Sequence, residues 1–325
     1  MDPSDSERRE IRLRRFRQTA IATTVGLCLV VVAGGVVRLT GSGLGCDDWP
    51  NCNSEQFVDV SSWHTAIEQI NRLLSVVLGV PTLLMAIGSF RVRSSGRHLV
   101  VPSLAVLFTV LANGVVGGLA VRGDLHPAIV QSHFLLAMIS IAFALVAAHR
   151  SRPNPLAADA ASLVPRSVRS MLGAVGALTV VAMATGTVVT GTGPHAGDED
   201  VRRWGFDISN VTRIHSASVI ATVAVALLLA LLIRNSADLR HRFSQPLLTW
   251  MFLAVLQGLI GYVQYLTGVP EVLVGAHIAG ATVLWVATVQ LVLLGFAPLD
   301  KPTLGFGRRS GADSLSNAGE PSRVA

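Results

Sequence analysis

An all-α, polytopic membrane protein is expected, with eight transmembrane helices forming two pseudo-symmetric four-helix bundles. A composition poor in charge, eight long apolar runs and an internal repeat lead to it. Of the 325 residues, 51% are hydrophobic and 14% charged, and the mean hydropathy is +0.55. Soluble domains carry about 25% charged residues, so the composition excludes a soluble enzyme, a disordered chain and a nucleic-acid reader. The net charge of +6 does not bring the last class back. The basic residues are all Arg except Lys301, and they sit in short clusters between apolar runs. Membrane-flanking loops have that pattern, whereas a phosphate-binding face gathers its charge in one place. Three cysteines are too few for a disulfide scaffold.

A helix needs about 20 mostly apolar residues to cross a bilayer. Runs at roughly 18–39, 64–90, 99–120, 126–148, 169–190, 209–233, 246–267 and 271–297 qualify. Backbone groups in lipid must be satisfied within the chain, which selects helices. The Gly and Pro in several runs are tolerated there. The first run follows six Arg and lacks a small-residue cleavage site, so it reads as a retained helix rather than a cleaved signal. With the N-terminus inside, 20 of the 26 Lys and Arg fall on inner segments. That bias predicts an integral protein of the cytoplasmic (plasma) membrane with both termini cytoplasmic. The expected organisation is a cytoplasmic basic N-terminus (1–17), an N-terminal four-helix half (18–148), a cytoplasmic linker (149–168), a C-terminal four-helix half (169–297) and a disordered cytoplasmic tail (298–325).

The two halves repeat one another. Thr40-Gly41-Ser42-Gly43 aligns with Thr190-Gly191-Thr192-Gly193 at an offset of 150. Further along the offset is 144: Asn71 falls on His215 and His133 on His277, with 62 residues between the members of each pair. A first-half loop six residues longer accounts for the change. Four helices per half is an even number, so both halves enter the membrane in the same sense. An axis along the membrane normal then relates them.

Ionisable residues within spans are costly and mark function. His98, His149 and His241 fall at inner helix ends or loops, where solvation accounts for them. His133, His215 and His277 instead lie within even-numbered spans, each roughly 10 Å below its outer loop at 1.5 Å per residue. Two imidazoles from different helices at one depth suit the axial positions of a haem iron. A bare transition metal would want more Cys or carboxylate ligands close by, and a proton relay would show acids deeper in the bundle. The small residues after each ligand (Ser216, Ala217 and Ser218; Ala279, Gly280 and Ala281) let a flat macrocycle approach. Arg213 is placed to meet its propionates. The competing reading is two unrelated His bonded to backbone carbonyls, and the recurring 62-residue separation weighs against it.

In the first half Asn71 stands where the second half has an imidazole. A haem held by His133 would keep one face open or weakly ligated, which suits oxygen chemistry better than simple electron transfer. Glu68 and His64 lie three and seven residues before Asn71, on the same helical face. Glu68 either steers a proton or orients a substrate, or merely caps the helix start. His64 is either a replacement axial ligand or a wet interfacial residue. In the outer loop CDDWPNC, Cys46 and Cys52 face an oxidising compartment, which favours a disulfide, as a structural clip or as a redox relay. Cys28 reads as an apolar filler within the first span. Gly41, Gly43 and Gly45 permit tight turns, but a phosphate loop would need a following Lys-Ser/Thr and a βα context. His126 and His195 read as loop residues.

In these residues the chain resembles the haem A synthase family, membrane proteins that convert haem O to haem A for terminal oxidases. The resemblance spans about residues 18–297 and rests on VRLTGSGLGCDDWPNC, IEQINRL, LHPAIVQSH, TGTVVTGTGPHAGD and the contexts of His215 and His277. It implies two similar four-helix halves, with haem b bound by His215 and His277. It implies that haem O is oxidised in the first half near Glu68 and His133, its C8 methyl becoming a formyl group by successive hydroxylations. It implies that Cys46 and Cys52 are the family's loop cysteine pair. The enzyme that makes haem O and the oxidase that receives haem A are the implied partners. The chain departs from the family in carrying Glu-x-x-Asn where many members have Glu-x-x-His, so either His133 alone or His133 with His64 holds the substrate iron. A non-catalytic b-type electron carrier is the alternative; it explains His215 and His277 equally well, and Glu68, the Asn71 asymmetry and the cysteine pair less well.

Overall fold

The computed structural model describes residues 3–92, 98–152, 164–198 and 200–296. Among these residues eight helices follow one another: α1 (Pro3–Leu39), α2 (Trp63–Arg91), α3 (Val100–Arg122), α4 (Pro127–Arg150), α5 (Arg166–Thr192), α6 (Ile208–Ile233), α7 (Ala237–Leu266) and α8 (Glu271–Leu294). All eight are long and apolar enough to cross a membrane, and no strand occurs among the described residues.

Two helices begin well before the apolar runs that announce them. Hydropathy marks where lipid starts, whereas Arg, Glu and Leu are good helix formers in water as well. The basic segment therefore continues α1 toward its N-terminus, where Arg14 donates to Glu10 one turn earlier at 2.7 Å. Helix α7 starts behind Ser236, whose hydroxyl accepts from the Leu239 amide at 3.4 Å, and it runs on through Pro246. Burial of Leu239 and Phe243 in that first stretch offsets the hydrogen bond that a proline removes. The expected linker shrinks from both sides, because α4 reaches Arg150 and α5 starts at Arg166. Its residues 153–163, like the tail 298–325, lie outside the described residues.

The helices close into two rings. In the first, α1 meets α2, α2 meets α3, α3 meets α4 and α4 returns to α1. In the second, α5 to α8 do the same, and α8 joins the rings by touching α1 and α4. One buried apolar cluster fills the first ring and takes in Trp285 and Val289 of α8; another fills the second ring. Trp285 Nε1 donates across the seam to the Met138 carbonyl at 2.8 Å. Within the second ring Trp250 Nε1 donates to Thr288 Oγ1, also at 2.8 Å. Large apolar side chains point outward, among them Val76, Val77 and Val80 on α2 and Phe252, Val255 and Leu259 on α7. Lipid tails are as apolar as these side chains, so nothing drives them inward.

At the end of the bundle that carries the cysteines, the four helix connections dock on one another. Gly43 N donates to the Gly197 carbonyl at 2.9 Å. A Cβ at Gly43 would come 3.0 Å from that carbonyl oxygen, and Gly197 has a φ of +110°, so neither position accepts a side chain freely. Leu125, between α3 and α4, lies against both glycines. His195 Nε2 donates to the Val269 carbonyl at 2.8 Å, which ties in the α7–α8 turn.

Two outcomes test this packing. Thr288→Val leaves the buried Trp250 indole N–H unpaired and lowers the unfolding free energy by about 1–3 kcal/mol; an unchanged denaturant midpoint of the purified protein would show that the bond contributes nothing. Asp207 caps α6 by accepting the Asn210 amide at 2.9 Å. The Ser209 hydroxyl first, and then that amide, hold its carboxyl below the usual carboxylate range. A depressed folded pKa gives stabilisation that is present above the unfolded value and lost as pH falls through the folded one. The thermal midpoint of the wild type therefore exceeds that of Asp207→Ala at neutral pH, and the gap narrows on acidification.

Candidate functional site

Three imidazoles lie inside the rings, and each is seated in the same way. His133 on α4, His215 on α6 and His277 on α8 face Gly117, Gly186 and Gly261 of the preceding helix. A Cβ on any of these glycines would come 3.0 or 3.1 Å from the imidazole Cε1. Without that Cβ, the ring lies against the helix backbone. Nδ1 of His215 donates to the carbonyl of Ala182, four residues before Gly186, at 3.0 Å. The rings of His133 and His277 meet the backbone of Asn113 and Gln257, again four residues before their glycines. Their geometry is looser and leaves both Nδ1 atoms without a regular hydrogen bond. With Nδ1 turned to backbone, Nε2 is the nitrogen available to a metal. His215 has further support: Thr185 Oγ1 lies 3.3 Å from its Nδ1 and 3.2 Å from Ser218 Oγ.

His215 and His277 face one another across the second ring, with ring centres 6.5 Å apart and planes at 78°. Metal–imidazole bonds of about 2 Å, with each ring centre about 1 Å behind its nitrogen, place the centres of two trans imidazoles about 6 Å apart. The pair thus fits the two sides of a single iron.

Unmet polar atoms point the same way. Among the described residues eight buried side-chain atoms lack a hydrogen-bond partner. Asn113 with Gln257, and His133 with His277, are pairs related by the offset of 144. Asn71 is the repeat counterpart of His215, and Thr212 of Glu68. Each unmet buried polar group costs about 1–3 kcal/mol. Their concentration at repeat-related positions fits two sites that receive a polar or metal-bearing guest.

The first ring departs from the pattern at one corner. No glycine of α1 seats Asn71: Gly34 faces open space and Gly35 meets Ile278 of α8. His64 lies two turns from Asn71, about 10 Å along the helix. Its Nδ1 is 3.1 Å from Ser42 Oγ and its ring lies against that of Trp63 with the planes tilted by 36°, at the level of the cysteine loop.

Glu68 is buried, and both its oxygens are engaged. Oε1 accepts from Arg72 Nε at 3.0 Å and Nη2 at 2.7 Å, while Oε2 accepts the Cys46 amide at 2.8 Å. Arg72 Nη1 donates onward to the carbonyls of Asp48 and Asn51, at 3.0 Å each. Cys46 and Cys52 form a disulfide. The carboxylate and guanidinium therefore clamp the CDDWPNC loop to α2. Arg122 of α3 grips the other side through the Trp49 carbonyl at 2.5 Å and Asp48 Oδ1 at 3.3 Å. The Trp49 amide, with Arg122 and Arg72, holds the Asp48 carboxyl below its ordinary range. The Trp49 ring lies on Gly118, where a Cβ would come within 2.4 Å. Gly118 adjoins Gly117, the seat of His133.

The remaining residues singled out in the sequence sit elsewhere. Arg213 is exposed on α6 beside Asp207. His126 caps α4, accepting from the Ala128 amide at 3.3 Å, and His195 joins two loops. Cys28 is half-buried in α1. The glycine seats, Asn113 and the clamping role of Arg72 escape a reading that looks for titratable groups. Gly117 with Gly261, and Asn113 with Gln257, do obey the offset of 144, and that spacing is the signal that finds them.

Over residues 17–69 and 55–289 the chain matches the COX15-CtaA family, described as cytochrome oxidase assembly protein. It is 25% identical over 293 residues to a Bacillus cereus (strain G9842) protein named "Heme A synthase", covering 87% of this chain and 94% of that relative. A Bacillus anthracis relative of the same name is also 25% identical over 293 residues, with the same shares. A third, from Lysinibacillus sphaericus (strain C3-41), is 28% identical over 134 residues, 41% of this chain and 44% of its own length. With eight membrane-spanning helices and a match over most of its length, the chain belongs to the COX15-CtaA family of cytochrome oxidase assembly proteins.

Proposed function

We propose that the protein is a haem A synthase, an oxidoreductase that converts the C8 methyl of haem O to a formyl group. Two successive hydroxylations, each consuming one dioxygen with two electrons from an external donor and two protons and releasing one water, give a gem-diol that loses water, and the product supplies a terminal oxidase. The observation that carries this reading is the seating of three imidazoles on three glycines, with one facing pair spaced for a single iron and one imidazole left unmatched. Residues 169–297 form the half that holds haem b, through His215 and His277. Residues 18–148 form the half that holds the substrate. Bound haem b would supply one-electron transfer.

In the second half, the Ala182 carbonyl and Thr185 hold the proton of His215 on Nδ1 and so direct its Nε2 inward. In the first half, His133 binds the iron of haem O, and Asn71 leaves the opposite side without an imidazole. His64, two turns away and bonded to Ser42, takes no part in ligation. Glu68 holds the cysteine loop over the substrate together with Arg72, and its carboxylate offers negative charge where a cation develops at the methyl carbon being oxidised. Haem O reaches this half laterally from the lipid, as its farnesyl tail allows. The excess of Arg on the opposite end sets the termini in the cytoplasm and the disulfide outside. The enzyme that makes haem O and the assembling oxidase are the partners that this chemistry requires.

A b-type electron carrier needs only the second ring. The Glu68–Arg72 clamp and the glycine seat of His133 favour the enzyme. Cells that express the protein and supply haem O should yield haem A or hydroxylated haem on extraction. A folded, haem b-loaded protein that yields neither would sink the proposal. Glu68→Gln should lower conversion by about 100-fold or more while the haem b absorption persists. The glycine seats separate the halves. Gly186→Ala displaces His215 and alters the haem b spectrum. Gly117→Ala leaves that spectrum alone and cuts haem A output, and identical spectra and output in both variants would count against the seats.

A further inference from the structure

Two arginines meet at the cysteine end of the second ring, with no carboxylate paired to either among the described residues. Arg38 ends α1, a first-ring helix, yet it reaches across the seam. Its Nε donates to the His195 carbonyl at 2.5 Å and its Nη2 to the Thr190 carbonyl at 2.8 Å. Arg203 donates to the Gly193 carbonyl from the following loop. The two guanidiniums are close enough to repel one another. Among the described residues neither has a carboxylate within 4.0 Å. The adjacent Trp204 lies on Gly191, and its indole Nε1 is buried and unpartnered.

The end of α5 explains part of this. Cations are favoured at a helix C-terminus, which carries about half a negative charge. Two positive charges exceed that several-fold, and partly buried unpaired charge is costly. Two guanidiniums that meet only neutral carbonyls, in a region that also holds an unpartnered indole N–H, call for an anionic oxygen group. The position says which one. Thr190 lies four residues, about one helical turn or 6 Å, beyond Gly186, the seat of His215. A porphyrin whose iron sits at the level of His215 and whose charged edge faces the wet end brings its carboxylates to that level.

We propose that Arg38 and Arg203 form the carboxylate-binding end of the second-ring porphyrin site, so that the haem held by His215 and His277 takes a residue from the opposite half. This rests on the haem b reading above. It moves the propionate contact from Arg213, which lies exposed beside Asp207, to the pair at the seam. The same anion chemistry could be met by a lipid phosphate, and the test separates the two.

Full-length His133→Ala protein, which leaves only the second-ring site, is purified without haem. It is titrated with haem b and with haem b dimethyl ester, and the Soret band is followed. The free acid should bind at least ~10-fold more tightly than the ester. Arg38→Gln/Arg203→Gln should remove that preference by weakening the acid alone, and Arg38→Lys/Arg203→Lys should keep much of it. Should the double Gln variant fail to fold, Arg203→Gln alone and the acid-to-ester ratio of the parent still decide. Equal binding of acid and ester with a bis-imidazole spectrum overturns the proposal and leaves the haem b reading standing. So does a Gln variant that keeps its preference but loses co-purifying anionic phospholipid, which assigns the pair to lipid. No Soret band from either porphyrin overturns both readings.

Discussion

An imidazole placed inside a bilayer seeks an acceptor for its N–H, and for His215 that acceptor is a helix carbonyl, that of Ala182. A helix carbonyl already accepts the amide four residues on, but it keeps a second lone pair. A ring on the neighbouring helix reaches that lone pair only where no side chain stands between. Gly186 supplies that clearance four residues after Ala182, and Gly117 and Gly261 open the same approach for His133 and His277, whose Nδ1 atoms come beside the backbone without completing a regular hydrogen bond. Close approach of α3 to α4, α5 to α6 and α7 to α8 follows from it. So does the choice of Nε2 as the inward nitrogen, and with it the 6.5 Å spacing of His215 and His277. A buried N–H left unmet costs about 1–3 kcal/mol, comparable with what a well-packed apolar side chain contributes at the same position.

Much of this was legible in the sequence because membrane proteins write their spans as length and their sites as exceptions. Eight apolar runs give eight helices. Errors fall at the ends of α1 and α7, where helix outlasts hydropathy because Arg and Ser-capped turns are helical in water too. His133, His215, His277 and Glu68 stood out because charge in a span is rare. The glycine seats did not, since the chain has 30 glycines and most membrane helices contain some. Only the offset of 144 distinguishes Gly117 and Gly261 from the rest. The Glu68–Arg72 pair is readable as a helical i, i+4 contact, but its hold on Cys46, Asp48 and Asn51 is tertiary. Nothing in the local sequence foretells it, nor the reach of Arg38 to Thr190 across 152 residues.

The corner where the repeat fails is the corner where the extra loop sits. The first ring spends α2 differently from the second ring's α6. Where α6 carries Thr212 and His215, α2 carries Glu68 and Asn71, followed by Arg72. The imidazole is gone, its glycine seat is absent, and an ion pair appears that grips the cysteine loop. These changes are physically coupled. A buried carboxylate needs partners, and the Cys46 amide together with Arg72 provides them. Arg72 in turn needs acceptors, and the loop carbonyls serve. Removing any one member strands the others, so the loop, the acid and the arginine stand as a unit. That unit reaches from α2 to α3, where Trp49 lies on Gly118 beside the seat of His133.

The rings are also less separate than their symmetry suggests. Gln131, two residues before His133, donates from α4 to the Ala184 carbonyl of α5 at 3.2 Å. Ala184 is two residues from Ala182, which orients His215. Trp285 of α8, two turns beyond His277, donates back to Met138 of α4. The helix that carries the unmatched imidazole is thus bonded to a helix that seats one member of the facing pair and to the helix that bears the other. Duplication gives two rings of one design. The seam fixes their relative height, so a shift of α4 that moved His133 along the membrane normal would strain the supports of His215 and His277 as well. A fold that needs its two sites at one depth gains from placing their supports on shared hydrogen bonds rather than on lipid-facing packing, which resists sliding only weakly.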